Sequence, residues 1–251
     1  MTMITALDHL VLSASSVDVA VGAYETLLGR RARDGRLQLG NVGLTFKQDD
    51  QASGLAAMVF ATPALDEAAH LLERRAVPAE KADDLLTLPL GATYQVPIQL
   101  IARAGKASAP SPIVLEEEAA SITALDHVVI HTPNPERAIA LYAGRLGLDL
   151  RLDRSNPKWG ARLLFFRCGD LVVEISHDLK KGVSDGPDRL WGLAWRAPDI
   201  GRTHQRLKAA GIDVSEPRDG RRPGSQVFTV RSHTESVPTL VIGGIGRWET
   251  R

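Results

Sequence analysis

Glu174 lies in the run Leu171-Val172-Val173-Glu174-Ile175-Ser176, a carboxylate inside a strand-length stretch that otherwise buries. Burying a bare carboxylate is costly, so this one calls for a partner. His127, in Leu125-Asp126-His127-Val128-Val129-Ile130-His131, is a natural one, either directly or through a divalent metal. Residues two apart on a strand share a face, which groups His127 with Val129 and His131. If Gly169-Asp170 is a two-residue turn, Phe165 pairs with Glu174 across the hairpin. Phe165, Arg167, Val172, Glu174 and Ser176 then share one face, and Leu164, Phe166, Val173 and Ile175 share the more apolar other. Without a metal, Glu174 could still act as a general base.

Several further residues could serve a small polar molecule on that face. Arg162 or Arg167 could pair with a carboxylate, and Trp159 could close over an apolar or aromatic part. His131, which shares the face, and His177, which follows the Glu174 strand, could supplement the site, and for each a place at its rim is the expected alternative. Each has a structural alternative. His127 and His9 both follow an Asp, and each could simply hydrogen-bond a neighbouring carboxylate. Cys168 has no evident base and reads as a packed thiol, Trp195 as core, and Arg221-Arg222-Pro223-Gly224 as a solvated turn. No Gly-rich phosphate loop, Ser/His/Asp order or Cys-pair zinc spacing is present, which removes support for nucleotide hydrolysis, serine hydrolysis and structural zinc.

The elements that position these residues repeat along the chain. After the strand Leu125–His131, Pro135 suits a first helical position. Ala138, Ile139, Leu141, Tyr142 and Leu146 then form one apolar stripe, and Gly147 ends the helix. Ile4-Thr5-Ala6-Leu7-Asp8-His9 recurs letter for letter as Ile122-Thr123-Ala124-Leu125-Asp126-His127. The same offset carries Val11 to Val129, Tyr24 to Tyr142, Leu28 to Leu146 and Gly29 to Gly147. The chain is a tandem duplication.

In the first half, a helix is expected over Val17–Leu28, a hairpin turning at Gly40-Asn41, and a helix over Pro63–Arg75. A final hairpin is expected from Thr87–Leu90 and Tyr94–Ile101. The second half is longer between Gly147 and Gly169, around Asp153–Gly160, where either a substrate-covering loop or a longer hairpin fits. Expected boundaries are a first domain at 1–104, a linker at 105–120 rich in Ala, Ser and Pro, and a second domain at 121–251. Glu116-Glu117-Glu118 reads as a solvated stretch.

The early-strand His, the Leu-Gly helix end, the Gly-Asp hairpin and the strand Val-Val-Glu-Ile resemble the vicinal oxygen chelate superfamily. That group includes glyoxalase I, bleomycin-resistance proteins and extradiol dioxygenases. The resemblance covers both halves and is strongest over 122–178. It implies an α+β fold of four βαβββ modules paired into two incomplete barrels, with helices on the outer face. It also implies a divalent metal (Zn, Ni, Mn or Fe) on His127 and Glu174, and lyase, isomerase or ring-opening dioxygenase chemistry. In its bleomycin-resistance-like members the implication is capture of a small molecule without catalysis.

The departures are specific. Gly192 stands near the fifth-strand ligand position, and Leu240-Val241-Ile242 stands where the last strand supplies Glu. In the first half His9 is kept, Thr45 holds the Glu174 position, Ala56-Ala57 replace the fifth-strand ligand, and Gln99 is the nearest last-strand candidate. The ligand set is therefore incomplete, and the second half is the working one.

Composition narrows the partners. The 251 residues carry 30 basic and 30 acidic side chains, so net charge gives no sign of nucleic acid or an anionic membrane. One cysteine cannot form an internal disulfide, which fits a reducing compartment and makes the cytoplasm the expected location. No apolar run reaches membrane length. A small-molecule ligand is expected, no organic cofactor is evident, and a homodimer is compatible because modules of this type pair within or between chains.

Overall fold

Short apolar strands broken by turn residues, with a few amphipathic helices between them, fold into two large sheets and a small two-stranded one in the computed structural model, which describes residues 3–103, 113–114 and 117–244. The first half runs β1 (Ala6–Ala14), α1 (Val17–Leu28), β2 (Arg30–Arg31), β3 (Leu37–Gln38), β4 (Gly43–Gln48), β5 (Gly54–Thr62), α2 (Leu65–Arg74), β6 (Glu80–Ala82), β7 (Leu85–Thr87) and β8 (Ile98–Ala102). After β9 (Ile113–Val114), the second half runs β10 (Ala124–His131), α3 (Pro135–Ile139), β11 (Asp149–Asn156), β12 (Ala161–Cys168), β13 (Leu171–Asp178), β14 (Arg189–Arg196), α4 (Ile200–Ala209), β15 (Arg218–Asp219), β16 (Gln226–Val230) and β17 (Thr239–Gly243).

A seven-stranded sheet has the order β3-β4-β1-β5-β8-β7-β6, and an eight-stranded one the order β11-β12-β13-β10-β14-β17-β16-β15. Neither closes into a barrel, and the α+β class matches the expectation. Two compact units divide the chain. One holds Met1–Asp8, Ala57–Ala107 and Val128–Trp191; the other holds His9–Ala56, Ser108–His127 and Gly192–Arg251.

The duplication is visible in backbone bonds. The Thr5 N–H donates to the Ala61 carbonyl, as the Thr123 N–H does to Arg196. Within each half, the Met58 N–H donates to Pro97 and the Leu193 N–H to Pro238. Tyr94-Gln95 and Glu235-Ser236, just ahead of the matching Val-Pro pairs, all take positive φ.

Several sequence expectations need correction. Residues 94–97 are a loop, and the hairpin partner of β8 is β7, with Thr87 opposite Gln99. The helix after Pro135 is α-helical only to Ile139, and Ala140–Arg145 widens into a π turn before Gly147 (φ 75°). Of the two alternatives open for the extra residues of the second half, the structure takes the longer hairpin: in β11–β12 Arg154 pairs with Leu163 and Asn156 with Ala161. Glu118 is not merely solvated, because both its oxygens hold the buried Arg30 guanidinium at 2.7–3.0 Å. Glu117 pairs with Arg202. Residues 105–112 and 115–116 of the expected linker lie outside the described residues.

Candidate functional site

The β12–β13 hairpin turns at Gly169, whose φ of 59° is strained for any residue with a side chain. The tight turn sets the ladder: Cys168 faces Leu171, Arg167 faces Val172, and Phe165 faces Glu174. Leu164, Phe166, Val173 and Ile175 are fully buried. Phe166 meets Tyr142 of the π turn with ring centroids 5.6 Å apart, which marks that side as the helix side. Phe165, Arg167, Glu174 and Ser176 point the other way and are half-buried. The expected split of the hairpin faces is the observed one.

The adjacent strand adds to the open face. The Thr132 N–H donates to the Ser176 carbonyl at 3.0 Å, a register that sets Val129 beside Glu174 and His131 beside Ser176. The first half has the same register, with Val11 opposite Thr45, so Thr45 does occupy the Glu174 place. His131 is exposed and stacks on Trp191, with ring centroids 4.6 Å apart and planes 21° apart. Burial, followed by the charge of Lys181, lowers its pKa against the opposing pull of Asp178. Trp191 is not among the sequence candidates, since only the tertiary stack marks it.

Other candidates are committed to partners within the protein. The Arg162 fork holds Asp153 at 2.7–2.8 Å and Glu136 at 2.7 Å, which raises the guanidinium pKa and keeps Asp153 ionised. The Arg167 Nε–H donates to the carbonyl of Gly169 in its own turn at 3.3 Å. Trp159 is 42% exposed at the β11–β12 hairpin tip, with the Arg154 guanidinium 5.8 Å from its ring centre. His177 is not a rim residue. It is buried on the helix side, with Nδ1 3.1 Å from the Thr132 carbonyl. Burial lifts the Cys168 thiol to about 12, as suits a packed, unreactive side chain.

His127 belongs to the other compact unit, where it has its own network. Its Nδ1 lies 2.9 Å from Asp126 Oδ2, and the Arg196 Nε–H donates to Asp126 Oδ1 at 3.1 Å. Burial works against ionisation of Asp126, but His127 and Arg196 outweigh it and hold the carboxyl below its usual range. A carboxylate on Nδ1 fixes the tautomer that leaves Nε2 as an acceptor, an orientation a metal ligand also uses.

The rest of a ligand set is not found among the described residues. Among the described residues, no group of three or more His, Cys, Asp or Glu could hold a metal ion. A Cβ added at Gly192 would lie 2.6 Å from the Pro238 carbonyl, so that position has no room for a ligand side chain. Gln99, the first-half candidate, donates to Thr87 Oγ1 at 3.3 Å. The residues present do not fit a divalent ion held by three or four protein ligands.

Comparison with known proteins agrees with the strand, hairpin and repeat pattern. Residues 126–229 match the profile of the Glyoxalase/Bleomycin resistance protein/Dioxygenase superfamily. The match lies within the second half of the chain, where the resemblance noted from the sequence is strongest. A halotolerant catechol dioxygenase superposes with a TM-score of 0.72 at 12% identity, covering 99% of this chain and 90% of that one. The Mn(II)-bound glyoxalase from Novosphingobium aromaticivorans gives 0.71 at 14%, covering 98% and 84%. At these identities the likeness shows the fold. By sequence, the chain is 28% identical over 106 residues to an ethylmalonyl-CoA/methylmalonyl-CoA epimerase of Cereibacter sphaeroides, covering 38% of this chain and 79% of the relative. The proteins it resembles in fold thus include a dioxygenase and a glyoxalase, and the one it resembles in sequence is an epimerase. No helix among the described residues is long and apolar enough to cross a membrane.

Proposed function

We propose that the second half binds a small polar organic molecule on the open face of β12 and β13, and that Glu174 exchanges a proton with it. The reaction class is proton transfer next to a carbonyl, as in isomerases and lyases. One observation carries the reading: Glu174 is a half-buried carboxylate on a strand of buried neighbours, directly across the ladder from the aromatic ring of Phe165. An apolar wall beside a single carboxylate suits a small ligand with one apolar and one polar edge. A positioned carboxylate is a common general base. The epimerase among the sequence relatives is named for chemistry of this class.

A divalent ion supplies Lewis-acid chemistry in proteins that hold one. Among the described residues the donor set falls short of three. That shortfall favours a second reading, in which the same face captures a small molecule and turns nothing over. Ligand-observed NMR with small keto acids, hydroxy ketones and thioesters in D2O separates the two. Proton transfer replaces a ligand C–H by C–D, and this exchange is lost in Glu174→Gln. Binding without any exchange supports capture, and equal exchange in Glu174→Gln would contradict the role of Glu174.

A further inference from the structure

Asp188 is buried, and one of its oxygens gathers three elements. The Thr132 hydroxyl donates to Oδ1 at 2.7 Å, and Arg137 Nη2 donates to the same atom at 2.7 Å. Arg137 also donates to the Gly186 carbonyl at 2.6 Å and lies over the Tyr94 ring, 4.1 Å from its centre. The Asp188 N–H donates to the Tyr94 carbonyl at 2.8 Å. The carboxylate thereby ties the end of β10 and the first turn of α3 to the start of β14, and the Asp188 backbone adds the Tyr94 loop.

The network is not closed as a purely stabilising one would be. Asp188 Oδ2, Arg137 Nε and Tyr142 OH are all buried with no protein partner among the described residues. Orphaned buried polar atoms are costly, and a buried ion pair often contributes less than apolar packing would. Such a network is better explained by what it orients. Thr132 directly follows His131, and Asp188 lies three residues before Trp191, so the ends it joins carry the stacked pair.

We infer that Asp188, acting through Thr132, is a positioning residue that holds the His131–Trp191 stack at the mouth of the β12–β13 face. This rests on the reading of that face as the ligand site, but the stack itself is testable without any ligand. Lys181, Asp178 and the Trp191 ring surround His131, so its protonation is read out on the indole.

The test is Trp191 fluorescence, isolated as the difference between the full chain and its Trp191→Phe variant. A protonated imidazole stacked on an indole quenches it, so the wild-type difference signal should fall on acidification, and His131→Gln should abolish the fall. In Thr132→Val and Asp188→Asn the amplitude should drop about twofold or more, while Thr132→Ser, which keeps the hydroxyl, retains it. If Asp188→Asn does not fold, the Thr132 pair decides. Wild-type quenching in a folded Thr132→Val variant, or equal loss in Thr132→Ser, would overturn the inference. Loss of ligand binding with the quenching pattern intact would instead count against the proposed function.

Discussion

Asp126 and His127 are neighbours in sequence and partners in space: the imidazole Nδ1 and carboxylate Oδ2 are 2.9 Å apart, with Arg196 on the other oxygen at 3.1 Å. The carboxylate is buried, so removing Arg196 leaves the His127 imidazole to partner its charge. Arg196→Ala should lower stability by about 3–5 kcal/mol, measured by urea unfolding. A loss below about 1 kcal/mol would show that water replaces the guanidinium.

The same carboxylate sets an acid limit. Its pKa is depressed in the folded state, so its contribution is complete above the unfolded value and is lost as pH falls through the folded one. The stability difference between wild type and Asp126→Asn should hold steady near neutrality and shrink below the ordinary carboxylate range. Thermal melts from pH 7 downward check this. A difference that widens on acidification would reverse the sign.

Metal should be loosely held. Among the described residues no cluster of three suitable donors exists, and affinity falls steeply with fewer ligands. Elemental analysis after purification without chelator should find less than one equivalent, and dialysis against EDTA should remove it. A full equivalent that survives dialysis would mean a ligand set drawn from elsewhere.

The first half should be silent in binding. His9 is retained, but Thr45 stands opposite Val11 where the second half has Glu174 beside Val129. His9→Ala should leave ligand affinity within about twofold, since distant sites act independently. Abolished binding in a folded His9→Ala protein would assign that half a part in the site.

What is legible in the sequence is local or repeated. The Gly169-Asp170 turn fixes a two-residue hairpin, and from it the Phe165–Glu174 pairing follows by counting. The recurrence of Ile4–His9 as Ile122–His127 exposes the duplication, and the missing ligands at Gly192 and Thr45 show in residue identity alone. What is not legible depends on residues far apart in the chain. The Arg196–Asp126 pair spans 70 residues and the Thr132–Asp188 bond spans 56, and no periodicity announces either. His177 continues the Glu174 strand, which suggests the rim, yet its parity puts it on the helix side. The hairpin extension at Arg151–Gly160 is ambiguous in sequence because charged edge-strand residues resemble loop residues in composition.

Binding of a small molecule on the open face around Glu174 is what the proposed function stands on. Amide chemical-shift mapping of the full chain, titrated with a small keto acid that registers in the ligand-observed screen, tests it most directly. The largest shifts should fall at Val129, His131, Phe165 and Glu174, and should vanish in Glu174→Gln with the rest of the spectrum unchanged. Shifts centred on Val11 and Thr45, or shifts that persist in Glu174→Gln, would contradict it.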